Sequence, residues 1–80
     1  MEHPAVAMAA VVGRPDPLHG EEVVAFVSLR PGQRATGEDL VGFARARLSA
    51  YKYPREVHVL DDLPLTPVGK VDRKALRGRL

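Results

Sequence analysis

Apolar and β-branched side chains concentrate in three short runs of this chain, and their pattern predicts strands. Residues Ala7–Val12 and Val23–Leu29 are nearly continuous apolar runs that end at turn-forming residues, which is typical of buried strands. Residues Glu56–Leu60 alternate between polar and apolar, so a third strand is predicted with two valines on one face. Residues 13–20 are rich in proline and glycine and predict a long polar connection between the first two strands.

A helix is predicted to follow the second strand. Thr36 is a suitable N-cap, and Asp39 stands three residues later, as in a capping box. The apolar residues that then recur on one helical face are Leu40, Ala44 and Leu48. Because turn-like residues and a proline follow, we expect this helix to end near Ser49.

A second, shorter helix is predicted close to the C-terminus. Asp72 can cap it, and Val71 and Leu76 have the spacing of a hydrophobic staple. The predicted order is therefore β-β-α-β-α. This order indicates an α+β fold in which helices pack against a small three-stranded sheet.

Composition and charge narrow the class of protein. The 80 residues include no cysteine, which excludes a disulfide framework and a thiolate metal site. The sequence has neither a run of about 18 apolar residues that could span a membrane nor a signal peptide, so we expect a cytoplasmic protein. Residues 70–80 carry five bases against Asp72, a net charge of +4, whereas residues 1–69 carry −2. The basic end indicates an anionic partner, or alternatively a solvated helix face.

The segment 63–70, here named the lysine loop, carries the most specific chemical signal. Pro64 and Pro67 fix their own φ angles, and Gly69 allows a conformation that a side chain would disfavour. Lys70 therefore ends a stiffened loop from which its ammonium can reach an anion on another surface. The alternative is a solvated surface loop with an incidental lysine.

The lysine loop and the residues after it, 63–76, resemble the last motif of the adenylate-forming enzymes. That superfamily comprises acyl-CoA synthetases, firefly-type luciferases and the adenylation domains of peptide synthetases. Four further segments recur in the order and spacing of the family's small C-terminal domain: 3–6, 11–16, 20–27 and 51–54. The resemblance covers nearly all of the chain.

This resemblance implies roles for individual residues. Lys70, presented by Gly69, would contact the substrate carboxylate and the ATP phosphate during adenylation. The segments that border the CoA nucleotide in similar enzymes correspond here to His19, Gly20, Arg45, Tyr53, Pro54 and Arg55. The resemblance also implies a large N-terminal domain that binds ATP, Mg²⁺ and the acid, with CoA as co-substrate. We expect no metal ligands on this chain, whose three histidines lack ligand spacing.

We therefore expect residues 1–80 to form a single C-terminal domain of an ATP-dependent acyl-CoA synthetase, separated from its N-terminal domain and hinge. The implied enzyme is an acid–thiol ligase that converts a carboxylic acid of the fatty-acid type, ATP and CoA into acyl-CoA, AMP and diphosphate. The isolated domain is expected to bind ATP negligibly and to catalyse nothing. The acid cannot be named, because the family's acyl pocket lies in the N-terminal domain.

Two alternatives remain open. The first is the C-terminal subdomain of a peptide-synthetase adenylation domain that loads a carrier protein, which segments 63–67 and 71–76 resemble closely. Those domains more often carry Asn at the position of Val68 and Met-Val-Pro at 52–54, which favours the synthetase. The second alternative is a basic nucleic-acid-binding module, which is disfavoured because aromatic residues are few and no recognition motif accompanies the charge.

Overall fold

The sheet and both helices form in the predicted order. The structure, a computed structural model, describes residues 3–18, 20–47 and 53–80. Its elements are β1 (Val6–Asp16), β2 (Gly20–Leu29), α1 (Gly37–Arg47), β3 (Glu56–Leu60) and α2 (Arg73–Arg77). The α+β fold with one three-stranded sheet is therefore confirmed. No helix in the described ranges has the length and apolar character needed to cross a membrane.

Strand β2 is the centre of the sheet. The strand order is β1-β2-β3, with β1 antiparallel and β3 parallel to β2. Residues 24–28 of β2 are buried without interruption. Because both faces of β2 are covered, the strand has a continuous apolar run instead of an alternating pattern.

The first hairpin is longer than the sequence predicts. We expected residues 13–20 to be a polar connection, but β1 continues to Asp16 and β2 already begins at Gly20. Gly13 pairs with Val23 in this extension. Pro15 is tolerated because β1 is an edge strand, where a missing N–H need not interrupt a ladder on both sides.

The sheet has an apolar cluster on each face, and one helix covers each cluster. The cluster that includes Leu76 of α2 contains Ala10, Val12, Val24, Phe26, Leu63 and Leu76. The cluster that includes Leu40 of α1 contains Val6, Ala25, Val27, Leu40 and Val57. The two helices thus lie on opposite faces, and each is anchored by one fully buried leucine.

Local capping fixes where α1 begins. The backbone N–H of Asp39 donates to Thr36 Oγ1 at 3.0 Å, and the N–H of Thr36 donates to Asp39 Oδ2 at 3.0 Å. This reciprocal pair confirms the predicted capping box. Leu40 and Ala44 are buried as expected, whereas the predicted positions of Leu48 and Ser49 lie outside the described residues.

The same kind of contact fixes α2, which follows the lysine loop directly. The N–H of Ala75 donates to Asp72 Oδ1 at 3.0 Å. This bond confirms the prediction that Asp72 is the N-cap of α2. Val71 and Leu76 belong to the same apolar cluster, as the hydrophobic staple requires. The C-terminal root of the lysine loop is therefore fixed to the core.

Candidate functional site

The lysine loop is closed on itself by backbone hydrogen bonds. Leu65 and Val71 form an isolated antiparallel bridge across its base. The N–H of Thr66 donates to the carbonyl of Lys70 at 2.7 Å, and the N–H of Gly69 donates to the carbonyl of Thr66 at 2.9 Å. The loop is thus a small hairpin, and proline restriction is only part of its stiffness.

Thr66 is a further contributor that the sequence argument missed. Its hydroxyl accepts a hydrogen bond from the backbone N–H of Lys70 at 3.3 Å. Gly69 has a φ of +86°, in the left-handed region that glycine occupies at no steric cost. The signal in the sequence is a threonine within the loop, since threonine hydroxyls hydrogen-bond nearby backbone groups in turns.

The ammonium of Lys70 is free to contact another surface. Lys70 is exposed, and its side chain forms no hydrogen bond or ion pair with any residue in the described part of the chain. The neighbouring side chains of Leu65 and Val68 are 52% and 79% exposed. The loop therefore presents the Lys70 ammonium together with uncovered apolar groups, and no carboxylate among the described residues is bound to it.

A separate groove lies between α1 and the start of β3. Its volume is about 640 Å³, and it is open to solvent. The residues that line it are Thr36, Gly37, Glu38, Val41, Gly42, Arg45, Arg55, Glu56 and Val57. Arg45, on α1, and Arg55, just before β3, thus line one groove.

The two arginines differ in how firmly they are held. Arg55 Nη1 donates to the hydroxyl of Tyr53 at 2.6 Å, and the Arg55 Cζ lies 4.7 Å from the Tyr53 ring centroid. Tyr53 therefore orients the Arg55 guanidinium by a hydrogen bond and a cation–π contact. Arg45 is exposed and has no ion pair with another described residue.

Three other predicted CoA-contacting residues, Gly20, Tyr53 and Pro54, do not line this groove. Pro54 is buried beside Tyr53, and Gly20 starts β2 with a φ of +79°. His19 lies outside the described residues. The groove therefore unites Arg45 and Arg55, with Tyr53 acting through Arg55.

A charged network, which the sequence analysis did not predict, links all three strands. Arg14 Nη2 lies 2.6 Å from Glu22 Oε2, and Arg14 Nη1 lies 3.1 Å from Glu56 Oε2. His58 Nε2 lies 2.6 Å from the same Glu56 oxygen, and the His58 ring stacks on Phe26. The hydrogen bond from His58 and the contact with Arg14 hold the pKa of Glu56 below its ordinary value.

This network engages two carboxylates, those of Glu22 and Glu56. The hydrogen bonds to Glu22 and Glu56 raise the pKa of Arg14, so this guanidinium stays charged. Within the ranges described, no group of three or more His, Cys, Asp or Glu side chains is arranged to hold a metal ion. These residues therefore provide no fit for Mg²⁺.

Comparisons with known proteins identify the family. Residues 1–70 match the family described as AMP-binding enzyme C-terminal domain. Acetyl-coenzyme A synthetase of Methanothrix soehngenii is 45% identical over 80 residues, which cover 96% of this chain and 12% of that protein. Fatty acid–(acyl-carrier-protein) ligase ScoC of Streptomyces coeruleorubidus is 44% identical over 77 residues, which cover 96% of this chain and 15% of that protein.

A solved structure has the same fold over nearly the whole chain. The crystal structure of Brucella canis acyl-CoA synthetase aligns with a TM-score of 0.83 at 47% identity, covering 98% of this chain and 15% of that one. This chain spans only 12–15% of the length of these curated relatives. The resemblance noted in the sequence is confirmed, and the chain belongs to the AMP-binding enzyme C-terminal domain family.

Proposed function

We propose that this chain is the C-terminal domain of an AMP-forming acyl-CoA synthetase that acts on a carboxylic acid of the fatty-acid type. A large N-terminal domain of the same enzyme would bind ATP, Mg²⁺ and the acid. The observation that carries the proposal is Lys70, an exposed cation on a loop closed by hydrogen bonds, with no ion-pair partner in the ranges that the structure describes. Such a group is suited to complete a site that another domain builds.

Lys70 would act in the first half-reaction. There the carboxylate of the acid attacks the α-phosphate of ATP, an acyl-adenylate forms, and pyrophosphate leaves. Negative charge shifts among the phosphoryl oxygens during this transfer, and a preorganised ammonium stabilises it where water is excluded. The closed loop holds the backbone of Lys70 in place before substrates bind, so less ordering remains to be done.

The groove would act in the second half-reaction. The thiol sulfur of CoA bonds to the acyl carbon, the bond from that carbon to the AMP oxygen breaks, and the thiol proton is lost. Arg45 and Arg55 would bind the phosphates of CoA, because guanidinium groups can donate two hydrogen bonds to one phosphate. Domain rotation between the half-reactions would withdraw Lys70 and bring this groove to the thiol.

A carrier protein is the second candidate acceptor. ScoC, at 44% identity, is named as a ligase of fatty acid to acyl-carrier protein, so a similar domain accompanies that acceptor too. Competing assays with CoA and with a phosphopantetheinylated carrier protein distinguish the two. We favour CoA because two arginines line one groove in which several phosphates could bind.

The test of the proposal separates the two half-reactions in the intact ligase. In Lys70→Ala we expect the rate of ATP–pyrophosphate exchange to fall by about 10²–10³, the usual effect of removing one such electrostatic group. Thioester formation from supplied acyl-adenylate should be largely retained. Lys74→Ala, at another exposed lysine just beyond the loop, is the matched control and should retain exchange. An equal loss in both half-reactions of Lys70→Ala would contradict the proposed role.

The proposal includes a prediction for the isolated domain, without the rest of the enzyme. The purified 80-residue domain should bind ATP negligibly and form no acyl-adenylate, because Lys70 would act only in a site completed by the N-terminal domain and no metal-binding cluster occurs among the described residues. Detectable acyl-adenylate would overturn this part. We also propose a cytoplasmic location for the intact enzyme, which cell fractionation would test.

A further inference from the structure

The solvent-facing side of α2 carries a row of basic residues. Successive residues of a helix are rotated by about 100°, so Arg73, Lys74 and Arg77 fall within an arc of about 100° on one side of α2. All three are exposed, whereas Leu76 on the opposite side is fully buried against the sheet. The three charges therefore share one open surface of the domain.

A further turn beyond α2 adds an apolar residue to this side. The N–H of Leu80 donates to the carbonyl of Arg77 at 3.2 Å, which closes a turn of the 3₁₀ type. Because side chains three residues apart eclipse each other in such a turn, Leu80 lies on the same side as Arg77. Leu80 is 42% exposed. We name the four residues Arg73, Lys74, Arg77 and Leu80 the α2 stripe.

The bases of the α2 stripe are not neutralised by the domain itself. None of the three forms an ion pair with another residue in the described ranges, in contrast to Arg14, which is bonded to two glutamates. The one acid of residues 70–80 is Asp72, and its carboxylate accepts a backbone hydrogen bond as the cap of α2. The stripe therefore presents positive charge to a partner outside this domain.

The combination of bases with an exposed leucine favours a lipid surface as that partner. An anionic bilayer attracts Lys and Arg to its headgroups and accepts apolar side chains just below them. A nucleic acid fits less well, because α2 has only five residues and is shorter than the helices that read a major groove. The stripe also contains no aromatic side chain on which a base could stack.

We propose that the α2 stripe is a docking surface for an anionic phospholipid bilayer, which holds the protein reversibly at the membrane. Each basic residue close to such a bilayer strengthens binding about fivefold, so three of them contribute about a hundredfold. Binding of this strength is weak and is screened by salt. The inference goes beyond the proposed function, since it involves neither Lys70 nor the groove. Contact with the anionic cytoplasmic leaflet is consistent with the proposed cytoplasmic location.

The test measures binding of the intact protein to lipid vesicles by co-sedimentation, without substrates. Vesicles of equal parts phosphatidylglycerol and phosphatidylcholine should bind the protein, and vesicles of phosphatidylcholine alone should not. The triple variant Arg73→Gln, Lys74→Gln, Arg77→Gln should lower the partition coefficient by about a hundredfold, since three charges are lost. Glutamine has nearly the helix propensity of arginine and lysine, so α2 should still form.

The matched control removes the same number of charges away from α2. Arg30→Gln, Arg34→Gln and Arg47→Gln change three exposed arginines that follow β2 or lie on α1, the helix on the opposite face of the sheet. This variant should bind anionic vesicles as the wild type does, because charges more than a Debye length from the bilayer are screened.

The outcomes decide between a lipid surface and its alternatives. Equal binding of the wild type to both kinds of vesicle would overturn the inference, and so would an equal loss in the two triple variants. Arg73→Lys with Arg77→Lys keeps the charges and should retain binding, and a loss as large as that of the glutamine variant would refute an electrostatic contact. Tighter binding to a DNA duplex than to anionic vesicles would assign the stripe to a nucleic acid instead.

Discussion

Replacing Gly69 with alanine tests whether the shape of the lysine loop, and not the lysine alone, supports adenylation. The φ of Gly69 is +86°, and a Cβ there would meet no atom within 4 Å, so backbone strain is the only penalty. An L-residue in this left-handed region is disfavoured by about 1–2 kcal/mol. That energy corresponds to a factor of about 5–30 in the population of the native loop conformation.

The assay is ATP–pyrophosphate exchange by the intact ligase. We expect Gly69→Ala to lower the exchange rate by the same factor of about 5–30, less than Lys70→Ala, because the ammonium is still present but is less often in position. Gly32→Ala is a close control. Gly32 has a φ of +77° and equally open surroundings, but it lies in the turn after β2.

Gly69→Ala and Gly32→Ala should lower the free energy of unfolding by similar amounts. Their rates of ATP–pyrophosphate exchange should differ, with the loss in Gly69→Ala. If Gly69→Ala exchanged pyrophosphate at the wild-type rate, the preorganised loop would have no role in the reaction. If Gly32→Ala lost as much exchange as Gly69→Ala, the effect would be a general consequence of strain. Either result refutes the reasoning.

Three further predictions concern the stability of the 80-residue chain, measured by urea unfolding. Leu76→Ala should lower the free energy of unfolding by about 2–5 kcal/mol, because Leu76 is fully buried in the core; a loss no larger than that of the half-exposed Leu80→Ala would contradict this. Gly37→Ala should also be destabilising, since its Cβ would overlap the carbonyl of Val57, and a stable variant would show that α1 can shift. The bonds to His58 and Arg14 lower the pKa of Glu56, so ionised Glu56 stabilises the folded chain above pH 4.5, its ordinary pKa. This stabilisation is lost as the pH falls through the lowered pKa. In Glu56→Gln this part of the acid dependence should disappear, and an unchanged pH profile would count against the ion pair.

Much of the fold was readable from the sequence because its signals are local. The capping box of Thr36 and Asp39 sets the start of α1 through bonds between residues three apart. The hairpin was misread because the proline and glycine of residues 13–20 resemble a loop. Pairing with β2 overrides that tendency, since the ladder supplies hydrogen bonds and the edge position accepts Pro15.

The candidate site, like the fold, was predictable from the sequence only where its signals are local. The sequence by itself determined the stiff loop and its single lysine, because proline and glycine restrict or permit backbone angles wherever they stand. Only the tertiary structure decided that Arg45 and Arg55 line one groove. The packing of α1 against β3 creates this groove, and side chains from separate elements meet only when their hydrophobic faces are buried together.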